Sequence, residues 1–86
     1  MELFFSERFK KDYALFSESI KQIIRSKLKL FSENPFHPSL RTKKIKGKED
    51  IFETSINIHI RMTWAYYEGK ILLRAIGDHD KTIKNP

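Results

Sequence analysis

Ile51-Phe52-Glu53-Thr54-Ser55-Ile56-Asn57-Ile58-His59-Ile60-Arg61-Met62-Thr63-Trp64-Ala65-Tyr66-Tyr67 is the stretch that decides the fold of this chain. Phe52, Thr54 and Ile56 alternate with Glu53 and Ser55. Ile60, Met62, Trp64 and Tyr66 alternate with Arg61, Thr63 and Ala65. A period of two is that of a half-buried β-strand. One strand over the whole stretch would be unusually long, so the pattern predicts a tight turn at Asn57 to His59, where Asn tolerates unusual backbone angles. A three-residue turn pairs Ser55 with Arg61, Glu53 with Thr63 and Phe52 with Trp64. Glu68-Gly69 supplies the next hairpin turn, and Ile71 to Gly77 is the last strand. That second hairpin pairs Trp64 with Leu73 and Thr63 with Arg74.

The register sorts the residues into two faces. Phe52, Ile56, Ile60, Met62, Trp64 and Leu73 form an apolar face for helices to bury. Glu53, Ser55, Arg61, Thr63 and Arg74 form an open one. A slip of one residue would exchange the faces, so the apolar set enforces the register. Arg61 and Arg74 become diagonal neighbours. Like charges that close repel unless an anion lies between them, and Glu53 or a ligand phosphate would supply it.

The helices come from the first half. Leu3 to Phe5 reads as a short strand ended by Ser6, an N-cap followed by acidic Glu7. Phe9, Tyr13 and Phe16 fall on one helical face. Ser19 and Gln22 have capping-box spacing, and Ile20, Ile23, Ile24, Leu28 and Phe31 make a second apolar stripe. Pro35 disfavours helical geometry at Asn34 and closes that helix. The fold class that follows is α+β: an N-terminal strand and an αα-hairpin packed on a small, mostly antiparallel, twisted sheet, as one domain over residues 1–86.

Between the halves lies a basic connection. Arg41-Thr42-Lys43-Lys44-Ile45-Lys46-Gly47-Lys48 carries five positive charges and no acid. If it is extended, Lys44 and Lys46 point to one side and Ile45 to the other, so a buried Ile45 would fix both lysines outward. The plain alternative is a solvated, lysine-rich loop. The chain as a whole has 86 residues and a formal charge of +6, which suits a polyanion or an acidic protein partner. With 40% hydrophobic residues it is a folded domain with one modest core. It has no cysteine, hence no disulfide and no thiolate nucleophile, as a reducing cytoplasm permits. Met1 to Phe5 is neither a signal peptide nor a membrane anchor, so no membrane partner is expected.

Arg61 suits phosphate because a guanidinium donates two parallel hydrogen bonds; the alternative for Arg61 and Arg74 is pairing with Glu53 across strands. His79, between Asp78 and Asp80, is either an exposed turn histidine or a general acid. In the second case it would give its proton to a leaving 5′ oxygen as a neighbouring 2′-hydroxyl attacks the phosphate. A metal site of Asp78, His79 and Asp80 is not expected, since adjacent residues diverge in direction and His37 and His59 are distant in sequence. His59, in the turn beside Arg61, is a second acid or base or a plain turn residue, and His37 reads as a packing or turn residue. No Gly-rich phosphate loop, Ser-His-Asp pattern or zinc spacing is present. Trp64 reads as core, and Tyr67 as an exposed ring on which a base can stack.

Four local signatures in order resemble the RelE/ParE superfamily of bacterial toxins from type II toxin–antitoxin pairs. They are His37-Pro38-Ser39-Leu40-Arg41, Lys44-Ile45-Lys46-Gly47, Ile60-Arg61-Met62-Thr63-Trp64 and Leu72-Leu73-Arg74-Ala75-Ile76-Gly77-Asp78-His79-Asp80. The resemblance covers His37 to Asp80, and the helical hairpin extends it in pattern. It implies a cytoplasmic toxin held in a hetero-oligomer by an antitoxin, often acidic. RelE-like members cut messenger RNA, often on the ribosome, by the 2′-hydroxyl route without metal or other cofactor.

Carried over, the resemblance makes Lys44, Lys46 and Arg61 site residues, and Gly77-Asp78-His79 matches the Gly-x-His that supplies a functional histidine in the YafQ-like branch. Arg74 joins the catalytic set, and Arg41, Lys43, Lys48 and His59 the substrate-binding one. The match is incomplete. The C-terminal tyrosine or phenylalanine of those branches is missing from Thr82 to Pro86. A YafQ-like histidine falls near Ser55 and an acid near His59, which leaves Lys44, Lys46 and His59 as candidates for the base. The alternatives are a ParE-like inhibitor of DNA gyrase without catalysis, and an inactive member that binds antitoxin only.

Overall fold

A computed structural model describes residues 2–86. Along them run β1 (Leu3–Phe5), α1 (Glu7–Ala14), α2 (Glu18–Glu33), a 3-10 turn (Pro38–Leu40), β2 (Lys43–Lys44), β3 (Phe52–Ser55), β4 (Ile60–Tyr67), β5 (Lys70–Asp78) and α3 (His79–Lys84). The strands form one sheet in the order β1-β5-β4-β3-β2, antiparallel except that β1 runs parallel to β5. The expected α+β class is the observed one.

The central hairpin has the register that its alternation dictates. Phe52 opposes Trp64, Glu53 opposes Thr63 and Ser55 opposes Arg61. Asn57 builds the turn: its Oδ1 accepts from the backbone N–H groups of His59 and Ile60, each at 2.8 Å. The second turn is also the expected one. Glu68 (φ 50°) and Gly69 (φ 76°) are both left-handed, as a two-residue turn that follows strand twist requires. A chain of hydroxyls then ties the preceding connection to the sheet. Trp64 Nε1 donates to Thr54 Oγ1 (2.9 Å), Thr54 and Thr42 share a bond of 2.8 Å, and Thr42 donates to the Pro35 carbonyl at 2.6 Å. Each of those hydroxyls has one proton, so Thr54 must donate to Thr42.

On the apolar face α1 and α2 cover Met62, Trp64, Ile71, Leu73 and Ile76, with Phe9, Ile24 and Phe31 buried beneath them. Phe52 stacks on Trp64 with centroids 4.5 Å apart, and Phe31 meets the Trp64 edge at 5.1 Å. Ser6 caps α1: its Oγ accepts from the Phe9 N–H at 3.0 Å and donates to the Arg74 carbonyl at 2.8 Å. Asn34 closes α2 as expected.

Several expectations are corrected. α2 starts two residues earlier than the Ser19 capping box implied. Ser17 is the cap, accepting from the Ile20 N–H at 3.3 Å with Glu18 in the first turn. Phe16 lies beyond the end of α1, though it still packs on the core. Trp64 does oppose Leu73, but Thr63 opposes Ala75, so a bulge in β5 leaves Arg74 unpaired. The bulge absorbs one residue of the apolar run Ile71 to Ile76 and keeps both Leu73 and Ile76 in the core.

The face opposite α1 and α2 is not bare either. α3 lies over it, leaving Thr63, Ala75 and Thr82 buried. Gly77 permits this close approach, because a Cβ there would sit 2.9 Å from Thr82 Oγ1. No helix among the described residues is long and apolar enough to cross a membrane.

Candidate functional site

Arg61 is positioned by the turn before it. Its Nη1 donates to the carbonyls of Asn57 (2.6 Å) and Ile60 (3.3 Å), and its Nε lies 3.9 Å from Glu53 Oε1. Glu53 is buried, and the Arg61 side chain is only 18% exposed. Glu53 is thus the anion beside Arg61. Among the described residues Nη2 donates to no partner, so it remains for an outside acceptor. A guanidinium fixed in this way offers a donor that needs no reorganisation when negative charge arrives.

Gly77 opposes Arg61 in the β4–β5 ladder, the strand ends at the next residue, Asp78, and His79 opens α3. The His79 N–H donates to the His59 carbonyl at 2.9 Å, so the backbone holds both histidines at the end of the sheet that bears Arg61. His79 Nδ1 lies 3.1 Å from Asp80 Oδ1, and the His79 side chain is 47% exposed. His37 instead serves the turn that follows it, its Nδ1 accepting from the Ser39 N–H at 3.1 Å.

A cleft of about 260 Å³ opens beside Arg61 at the end of β3. Lys27 reaches it from α2, and Arg41 from the connection. Arg41 has left-handed backbone (φ 49°), a conformation that costs a residue with a Cβ and is held here by its surroundings. The hydroxyl chain from Trp64 to Pro35 fixes Thr42, the next residue. Sequence reading named Arg41 and Arg61 but missed Lys27. A lysine on the polar side of an amphipathic helix gives no signal of its own.

The other predicted residues do not gather there. Lys44 opposes Phe52, and its Nζ lies 5.9 Å from the Phe52 ring centroid. It therefore belongs to the face of Phe52 and Trp64, opposite that of Arg61. Lys43 opposes Glu53 and shares the Arg61 face. Ile45 is buried as expected, but β2 ends at Lys44, and Lys46 and Lys48 sit exposed in a turn closed by the Lys48 N–H to the Ile45 carbonyl at 3.1 Å. Arg74 is not a diagonal neighbour of Arg61. Its Nε donates to the Pro86 carbonyl at 2.9 Å, beside a separate depression with Ser6 and Arg8. Lys44, the pair Lys46 and Lys48, and Arg74 thus each lie apart from the Arg61 cleft.

No protein-family model matches the chain, and no curated protein is similar to it in sequence. Solved structures are similar in fold. A YoeB/ParE toxin from Agrobacterium tumefaciens superposes with a TM-score of 0.76 at 15% identity, over 92% of this chain and 99% of that one. The fold is that of RelE/ParE-like toxins. A chain of the heterotetrameric YoeB–YefM toxin–antitoxin complex from Staphylococcus aureus gives 0.73 at 19% identity, covering 92% of this chain and 97% of that one. A chain of the E. coli DinJ–YafQ toxin–antitoxin complex gives 0.76 at 12% identity, with 93% of each chain covered. These RelE/ParE-like folds bear the arrangement that the sequence signatures implied.

Proposed function

We propose that this chain is the toxin of a toxin–antitoxin pair and that it cleaves messenger RNA in the cytoplasm, probed most simply on the ribosome. The carrying observation is the ladder that sets Arg61, His59 and His79 at one end of a RelE/ParE-like sheet. The 2′-hydroxyl of the substrate attacks the adjacent phosphorus. A 2′,3′-cyclic phosphate forms, and the P–O5′ bond breaks. Arg61 stabilises the extra negative charge on the phosphoryl oxygens through Nη2. Nε2 of protonated His79 gives its proton to the departing 5′ oxygen, while Asp80 orients the ring through Nδ1. His59, whose backbone carbonyl accepts from the His79 N–H, takes the proton of the 2′-hydroxyl. Arg41 and Lys43 hold substrate near Arg61. Lys44, Lys46 and Lys48 touch flanking phosphates from the β2 edge, and Arg74 braces the chain at Pro86.

The structural relatives crystallised with antitoxins support an antitoxin as the protein partner. Expression in bacteria tests the reading. Transcripts should be cut, with growth restored by a co-expressed antitoxin. Intact transcripts with gyrase-linked DNA breaks would identify a gyrase inhibitor instead, and unaffected growth an inactive member.

A further inference from the structure

We infer that the cleft between α2 and the β3–β4 turn holds a second phosphate of the RNA, next to the one cleaved, and that Lys27 is a substrate-binding residue. This rests on the ribonuclease reading. Lys27, Arg41 and Arg61 come from a helix, a connection and a strand, and they converge on one cleft whose lining includes no acid. Glu53 contacts Arg61 from its buried side. Among the described residues neither Lys27 nor Arg41 has a carboxylate partner. Glu53 offsets only one of the three positive charges, so the excess charge at the cleft is a cost that an arriving phosphate relieves.

The polar groups around them are neutral: the Ser55 hydroxyl, which suits a phosphate oxygen as a donor, the Ser39 hydroxyl, which donates to His37 Nδ1 at 2.9 Å, and Asn57. Ile58, 81% exposed, gives the rim an apolar surface against which a sugar or base can rest. A compact, doubly flanked anion fits this cleft better than the spread carboxylates of an acidic peptide. Arg61 faces both the reacting phosphate and this neighbour, so Lys27 and Arg41 set where along the strand the cut falls.

The test uses a single-stranded RNA of 2′-O-methyl nucleotides, which binds but cannot be cut. Its affinity is measured by fluorescence anisotropy over a series of salt concentrations. Lys27→Ala should weaken binding about fivefold, the size of one partly exposed charge contact, and reduce the salt slope by about 0.7, the loss of one phosphate. Lys27→Arg should restore both. Lys29→Ala, an exposed lysine of the same helix with the same charge change, should alter neither. If wild type binds and Lys27→Ala matches Lys29→Ala, this inference is overturned while the ribonuclease reading stands. If Lys27→Ala instead weakens only binding of a polyglutamate peptide, the cleft takes an acidic protein. A wild type that binds no RNA overturns both.

Discussion

Two cationic regions of this molecule differ in kind. The run Arg41 to Lys48 is dense in sequence and dispersed in space. The β3–β4 end collects Lys27, Arg41 and Arg61 from positions far apart in sequence and aims them at one cleft. In the run, alternation within a two-residue strand sends Lys43 and Lys44 to opposite faces, and a turn turns Lys46 and Lys48 out to solvent. At the cleft, carbonyl groups and a buried carboxylate fix a guanidinium before any ligand arrives. Charge density attracts a polyanion, but fixed geometry is what can stabilise a transition state.

The frame behind the cleft should be the most sensitive to change. Trp64→Ala removes the centre of the aromatic cluster and the first donor of the hydroxyl chain. It should cost about 3–5 kcal/mol of stability by denaturant unfolding. A loss near zero would mean that the cleft is not carried by this core. Arg61→Ala comes next, with about a 100-fold loss or more in single-turnover RNA cleavage and an unchanged circular dichroism spectrum. Equal losses for Lys46→Ala would erase the distinction between the two regions.

Thr42→Val sharpens it further. It leaves Thr54 without its acceptor and frees the residue after Arg41, so it should destabilise by about 1–3 kcal/mol and weaken RNA binding in parallel. Lys46→Ala and Lys48→Ala should have the smallest effects. Each should change binding by less than about threefold, and the difference from wild type should fade as salt is raised.

Much of this was legible in the sequence, and the gaps have physical causes. The β3–β4 register could be read because the apolar face tolerates no slip, and Asn57 marks the turn. Arg74 was misplaced because Ile71 to Ile76 is nearly continuous in apolar residues, so no alternation betrays the bulge. Ser17 and Ser19 are equally good caps by composition. Ser17 wins by putting Glu18 in the first turn. The face of Lys44 depends on its opposition to Phe52, a contact across strands rather than along the chain. α3 was missed because six residues carry too little periodicity, and its docking depends on Gly77 leaving room for Thr82.

The most direct test concerns His79, whose imidazole the account makes the proton donor at the end of the sheet that bears Arg61. Wild type and His79→Ala should be compared on ribosome-bound, 5′-labelled messenger RNA in single turnover, with binding measured alongside. The wild-type product should end in a 2′,3′-cyclic phosphate, and the variant should be about 100-fold slower with binding nearly intact. Undiminished cleavage by His79→Ala would contradict it.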